Sequence, residues 1–266
     1  MEHLLSAWSE VAKQLRSARH ILLLLDYDGT LTLIAERPEL ASLSAGTRQL
    51  LQALAQQRRL TLAIISGRAL PDLRQKVGVS DIIYAGNHGL EIEGPGISFV
   101  NPVAEESKPL LRRMHYELSQ ALGAIKGVLV EDKGLTLSVH YRQVAADRST
   151  EVRSIFERIA GDAERLGKIG ITSGKKVYEV RPAVAWDKGK VVKMLMGKYG
   201  GRKSGTLPIY LGDDLTDEDG FKVIENYEGG ISVFVGEKDS QTSARYFLGS
   251  PDEVARFLGL LLEEAR

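Results

Sequence analysis

The stretch Ile21-Leu22-Leu23-Leu24-Leu25-Asp26-Tyr27-Asp28-Gly29-Thr30 decides the fold. Five consecutive branched apolar residues stop abruptly at two carboxylates and a glycine. An unbroken apolar run suits a strand of a parallel sheet, because both of its faces are covered. Four other runs end the same way. Leu60-Thr-Leu-Ala-Ile-Ile65 stops at Ser66-Gly67-Arg68, and Asp81-Ile-Ile-Tyr-Ala85 at Gly86-Asn-His-Gly89. Leu207-Pro-Ile-Tyr-Leu211 stops at Gly212-Asp-Asp214, and Ile231-Ser-Val-Phe-Val235 at Gly236.

Helical patterns separate these runs. Ser44 to Arg58 places Leu50, Leu51 and Leu54 at helical spacing behind a Ser N-cap, Ala69 to Val77 follows Arg68, and Asp187 to Lys198 groups Val191, Val192 and Leu195. Strand and helix alternate, which predicts right-handed crossovers and a doubly wound α/β sheet. Its ligand crevice lies beyond the carboxyl ends of the strands, where the polar run ends would meet.

Residues 103–182 break this pattern. They read as a helix over 105–122, strands over 128–132 and 135–141, a helix over 147–166, and strands over 169–172 and 176–181. The expectation is a small antiparallel sheet covered by two helices, an α+β cap inserted into the core, with Asn101-Pro102 and Arg181-Pro182 as hinges. Residues 1–102 and 183–266 then form the catalytic core.

The 266 residues hold 35 Lys plus Arg and 35 Asp plus Glu, so no global basic field attracts nucleic acid or a membrane surface. Cysteine is absent, which removes disulfides, thiolate metal sites and a cysteine nucleophile. The N-terminus carries no cleavable signal pattern, and Ile21–Leu25 is too short to cross a bilayer. A cytoplasmic monomer acting on a small molecule is expected.

The chemistry concentrates in two acidic clusters. Asp26 and Asp28 flank Tyr27 at a strand end, placed for one to attack phosphorus and the other to serve as acid or base. Gly212-Asp213-Asp214-Leu215-Thr216-Asp217-Glu218 supplies hard oxygen ligands and a capped helix start at Thr216. Either cluster alone reads as a turn or a solvated helix start. Two at two predicted strand ends favour a divalent cation, whose charge offsets their mutual repulsion.

Asp26-Tyr-Asp-Gly-Thr30, Ser66, Lys188 and Gly212-Asp213-Asp214-x-x-Asp217 resemble, in order and context, the four motifs of the haloacid-dehalogenase (HAD) superfamily of phosphatases. The resemblance implies an HAD-like core with a cap of the C2B type. It makes Asp26 the nucleophile and Asp28 the acid and base, with Thr30 and Ser66 bonding the nucleophile loop and phosphoryl group, and Lys188 balancing charge. Mg²⁺ would bind Asp26, the backbone carbonyl of Asp28, and Asp213, with Asp214 and Asp217 beside it.

Gly86-Asn87-His88-Gly89-Leu90-Glu91, Val130-Glu131-Asp132-Lys133-Gly134, His140-Tyr141-Arg142, Lys176-x-x-Glu179-x-Arg181-Pro182 and Gly212–Glu218 are similar to the trehalose-6-phosphate phosphatase family within that superfamily. That likeness implies hydrolysis of trehalose 6-phosphate, with Glu131, Lys133 and Glu179 on glucose hydroxyls. Gly67, Arg68, Asn87, His88 and Arg142 would complete the substrate-binding set, near the phosphate or the domain seam. The alternatives are another capped sugar phosphatase, acting on sucrose 6-phosphate or mannosyl-phosphoglycerate, or a non-catalytic sugar-phosphate-binding module. Leu33 stands where the family pattern has Pro, and Val177-Tyr178 where it is more aliphatic.

Overall fold

Two residues, Glu2–His3 (β1), and the helix Trp8–Ser17 (α1) precede the first long strand, His20–Asp26 (β2), in the computed structural model, which describes residues 1–35, 38–174, 176–200 and 205–266. The chain continues through Ala45–Ala55 (α2), Leu60–Ile65 (β3), Leu70–Val77 (α3) and Ile83–Gly86 (β4), then Glu91–Gly94 (β5) and Ile97–Val100 (β6). Next come Pro102–Leu122 (α4), Leu129–Asp132 (β7), Leu137–His140 (β8), Ser149–Arg165 (α5), Ile169–Gly174 (β9) and Val177–Pro182 (β10). Lys188–Tyr199 (α6), Thr206–Gly212 (β11), Glu218–Glu225 (α7), Ile231–Val235 (β12), Tyr246–Leu248 (β13) and Pro251–Ala265 (α8) complete it.

Contacts divide the chain into two compact units, one of Met1–Ser98 with Trp186–Arg266 and one of Phe99–Ala185. The first is built on a sheet ordered β1-β13-β12-β11-β2-β3-β4-β5-β6. Pairing is parallel from β1 to β4, and β5 joins β4 antiparallel. Strand β2 sits at the centre: Ile21 to Leu25 are fully buried, as a strand covered on both faces requires. Register aligns Asp26 with Ile65 and Leu25 with Leu211, so the chain leaves β2, β3 and β11 at one level. This alignment brings the polar run ends together.

Local chemistry fixes the helix starts. Ser44 Oγ accepts the Thr47 amide at 3.0 Å ahead of α2, and Asp187 Oδ1 accepts that of Lys190 at 2.8 Å ahead of α6. The acidic cluster after β11 differs from expectation: Asp214, not Thr216, is the N-cap, and a short 3-10 turn over Leu215–Asp217 precedes α7. The β5–β6 extension and the β1–α1 lead are further additions to the core that the apolar runs did not announce.

The second unit has sheet order β7-β8-β10-β9, antiparallel throughout, with α4 and α5 on one face. Leu111, Met114, Leu118, Val152, Phe156 and Ala160 of those helices pack on Leu137, Val139 and Val180. Tyr178 lies between Tyr141 and Phe156, stacked on both with ring centroids 5.0 and 4.4 Å apart. An aromatic therefore occupies the position where an aliphatic residue was expected because it completes a three-ring stack.

Neither expected hinge is a break in structure. Asn101 is the N-cap of α4, its Oδ1 accepting the Val103 and Ala104 amides, and Pro102 lies where a helix has no use for an N–H. Pro182 still pairs with Ile169 in β10, so the division falls after Ala185 instead. Among the described residues no helix is long and apolar enough to cross a membrane.

Candidate active site

Asp26 is the last residue of β2 and 4% exposed. Its Oδ1 accepts a hydrogen bond from Lys188 Nζ at 2.8 Å, while its buried Oδ2 has no hydrogen-bond partner among the described residues. Lys188 opens α6 and is 3% exposed; it also donates to Asp217 Oδ1 at 2.6 Å. Burial alone would strip the ammonium of its proton, but Asp217 and Asp26 more than offset that and hold its pKa well above the usual lysine value. Burial pushes Asp26 well above the ordinary carboxylate range despite the Lys188 charge.

Asp217 is fully buried and used on every side. Its Oδ1 also receives the Tyr210 hydroxyl, and its Oδ2 accepts the Asp213 and Asp214 amides, each at 3.1 Å. Asp217 thus shapes the 213–214 loop and holds Lys188. Asp214 turns away: its Oδ1 accepts the Thr216 amide and hydroxyl at 2.8 and 2.7 Å. Burial opposes ionisation of Asp214, yet the Lys188 charge and the Thr216 bonds leave its pKa below the usual value.

Carboxylate oxygens of Asp26, Asp213 and Asp217 lie within 4.8 Å of one another, and Asp214 is outside this group. Burial first, then Asp214 and Asp217, raise Asp213 to about 7. One ammonium faces three acids. That excess of negative charge, with the unpartnered oxygen of Asp26, fits a hard divalent cation. Gly29 borders the same place: its φ is +87°, and a Cβ there would collide with the Asp213 carboxylate.

Asp28 is held from the other side. Arg68 Nε and Nη2 donate to its two oxygens at 2.7 and 2.6 Å, while Nη1 donates to Asp72 at 2.8 Å. Arg68, expected among the substrate-binding residues, directs these donors to protein carboxylates. Ser66 Oγ accepts the Arg68 amide at 3.2 Å, and the Thr30 hydroxyl is buried without a hydrogen-bond partner among the described residues. Asn87 and His88 adopt positive φ values of 49° and 56°. Their amides bond to the carbonyls of Arg68 and Ser66 at 2.7 and 2.8 Å, which ties this loop to the end of β3. Asn87 Nδ2 donates to Glu91 at 2.7 Å, the His88 ring fills the space over Gly67, and Trp186 Nε1 donates to the Gly89 carbonyl at 2.9 Å.

In the second unit, Glu131, Ser138 and Glu179 stand directly opposite one another on β7, β8 and β10. They share the sheet face opposite Val139 and Tyr178, which pack under the helices. Glu131 Oε2 lies 3.0 Å from His140 Nε2, and Lys133 Nζ is 3.6 Å from Glu179 Oε1. Arg142 is exposed in the turn after β8. Tyr210 and Asp72 are polar partners that the motifs do not include, and His140, part of one motif, had no site role assigned to it. Of the first two, Tyr210 left a trace in the sequence, as a hydroxyl inside an otherwise apolar run.

The family model described as trehalose-phosphatase matches residues 24–252. The chain is 40% identical over 254 residues to a trehalose-phosphate phosphatase of Mycobacterium tuberculosis, covering 94% of this chain and 63% of that protein, so it spans under two thirds of that relative. It resembles the C-terminal domain of a trehalose-6-phosphate phosphatase from C. albicans with a TM-score of 0.80 at 25% identity, covering 96% of each chain. A haloacid dehalogenase-like hydrolase from Bacteroides thetaiotaomicron shares the fold, with a TM-score of 0.61 at 20% identity over 91% of this chain and 99% of that one. On the extent of the family match and the level of identity to its members, the chain belongs to the trehalose-phosphatase family.

Proposed function

We propose that this chain hydrolyses trehalose 6-phosphate to trehalose and inorganic phosphate through an aspartyl-phosphate on Asp26. The observation that carries the reading is the state of Asp26 at a strand end, with one oxygen held by Lys188 and the other buried without a hydrogen-bond partner among the described residues. An Asp26 oxygen attacks phosphorus as the bond from phosphorus to the sugar oxygen breaks, and Asp28 gives that oxygen its proton. Asp28 then takes a proton from water as the water oxygen attacks phosphorus, which releases phosphate and restores Asp26. Lys188 and the Ser66 hydroxyl face charge that builds on the phosphoryl oxygens.

Asp26 and Asp213, with the main-chain carbonyl of Asp28, are the groups we assign to Mg²⁺. When bound, the ion supplies Lewis-acid polarisation and charge neutralisation to the phosphoryl group. Asp217 serves as the anchor of Lys188 and the 213–214 loop, since its oxygens already accept four hydrogen bonds. Glu131, Lys133 and Glu179 are assigned to the sugar hydroxyls, because two carboxylates facing one another across the sheet, with a cation 3.6 Å from one of them, match a polyol.

Phosphate release from trehalose 6-phosphate, sucrose 6-phosphate, mannosyl-phosphoglycerate and glucose 6-phosphate at fixed Mg²⁺ tests the reading. Trehalose 6-phosphate should have the highest kcat/KM, and Asp26→Asn should lose activity by several orders of magnitude. Preference for another sugar phosphate would replace the substrate, and no release from any would leave a binding module. Glu179→Ala should cost about 2 to 4 kcal/mol in kcat/KM for trehalose 6-phosphate, the scale of a buried polar group left unpaired. It should scarcely affect p-nitrophenyl phosphate; equal losses on both would end the sugar-reading assignment.

A further inference from the structure

We propose that Arg68 is a positioning residue that fixes the Asp28 carboxylate for both of its proton transfers, with Asp72 as a second anchor. The proposal rests on the phosphatase reading above and deepens it. Asp26 is immobilised by burial, but the Asp28 side chain is 39% exposed. Two hydrogen bonds at 2.7 and 2.6 Å from one planar guanidinium set both the place and the plane of its carboxyl group. A single ammonium could not set the plane.

Arg68 is rigid enough for this task. Its side chain is 9% exposed, its third nitrogen is bound to Asp72 at 2.8 Å, and the guanidinium carbon lies 5.3 Å from the centre of the Tyr27 ring. Its amide is held by Ser66 and its carbonyl accepts the Asn87 amide. Tyr27 separates the two aspartates, so the nucleophile loop itself supplies the ring that backs the guanidinium. Asp72 lies in the first turn of α3, which makes the clamp an extension of a helix rather than of a loop. Correct placement matters because Asp28 must meet the sugar oxygen in one step and a water in the next.

Transient kinetics on Arg68→Lys separate positioning from phosphate binding. The p-nitrophenolate group leaves without a proton, so phosphorylation of Asp26 by p-nitrophenyl phosphate does not need Asp28, whereas hydrolysis of the aspartyl-phosphate does. Arg68→Lys should therefore give a burst of p-nitrophenol, followed by turnover on the order of 10²-fold slower than native, the scale of one misplaced acid or base. With trehalose 6-phosphate both steps slow, so kcat should fall on a similar scale without a burst while KM holds. On an Asp28→Asn background, Arg68→Lys should add almost nothing.

A raised KM with kcat unchanged would show that Arg68 binds phosphate, and that would overturn the proposal. So would equal losses on both substrates without a burst, or losses that multiply with those of Asp28→Asn. Should Arg68→Lys fail to fold, Asp72→Asn leaves the Arg68–Asp28 contact in place and should show the same signature, weaker; native kinetics in that variant would remove Asp72 from the clamp and overturn the proposal. Native activity on p-nitrophenyl phosphate but not trehalose 6-phosphate would reject the substrate while leaving the burst test intact. No phosphate release from any ester would reject both.

Discussion

Lys188 bonds two buried acids, Asp26 and Asp217, and its loss should be felt twice. In Lys188→Ala, Asp26 and Asp217 are left uncompensated, so stability should fall by about 3 to 5 kcal/mol at neutral pH, measured by denaturant unfolding. The deficit should shrink in acid, where those carboxylates take up protons; an equal deficit at every pH would mean that packing, not charge, is responsible. Asp213 makes a second prediction. Folded, it titrates at about 7 against 3.8 for an ordinary aspartate, so between those values the folded chain holds the extra proton. Metal-free stability should then fall as pH rises through that window. A cation binds the ionised form, so the rise in Tm on adding Mg²⁺ should be larger at pH 8 than at pH 6, and the reverse order would exclude Asp213 as a ligand. The nature of these acids was legible in the sequence, but their division of labour was not. Asp214 and Asp217 look alike on paper, and only the backbone turn at 215–217 makes one a cap and the other a buried anchor. Arg68 and Asp28 are 40 residues apart in sequence, and no spacing rule joins them.

Helix α6 shows how an element serves the site. Its N-cap Asp187 fixes the first turn, and Lys188 is the next residue, so the cap aims the ammonium that meets Asp26 as well as starting the helix. Asp187→Ala should cost about 1 kcal/mol in stability, measured by thermal melting, together with a kcat loss larger than that of the equally capped Ser44→Ala in α2. Equal kcat values would separate the cap from the chemistry. The central strands were readable because burial on both faces leaves an unbroken apolar run, as in Ile21 to Leu25. Strands β5 and β6 were not, because at the sheet edge each has only four residues and, of these eight, Ile92 is the one that is buried. Two residues of β1 carry no pattern at all. The hinges were misplaced for a related reason: Asn-Pro reads as a break, yet Asn is also an N-cap and Pro a first-turn residue.

At the scale of the whole molecule, equal numbers of acidic and basic residues leave chemistry to local fields. The chain should pass through a heparin column unretained at physiological salt, and firm retention would reveal a basic face that the net charge conceals. The alternation of five apolar runs with helices was enough to predict a doubly wound sheet, and the break in that alternation over 103–182 lies inside the second unit, Phe99–Ala185, whose outer residues are set by packing that no local pattern encodes. The hydrogen bond from Trp186 to Gly89 has an optical consequence. Tryptophan occurs twice, and Trp8 lies far along the sheet against Phe257. In Trp8→Phe the remaining ultraviolet emission comes from one indole whose N–H is bound to the loop carrying Asn87 and His88. Titration with inorganic phosphate and Mg²⁺ should shift that emission, giving a fluorescent gauge of loop occupancy that requires no turnover.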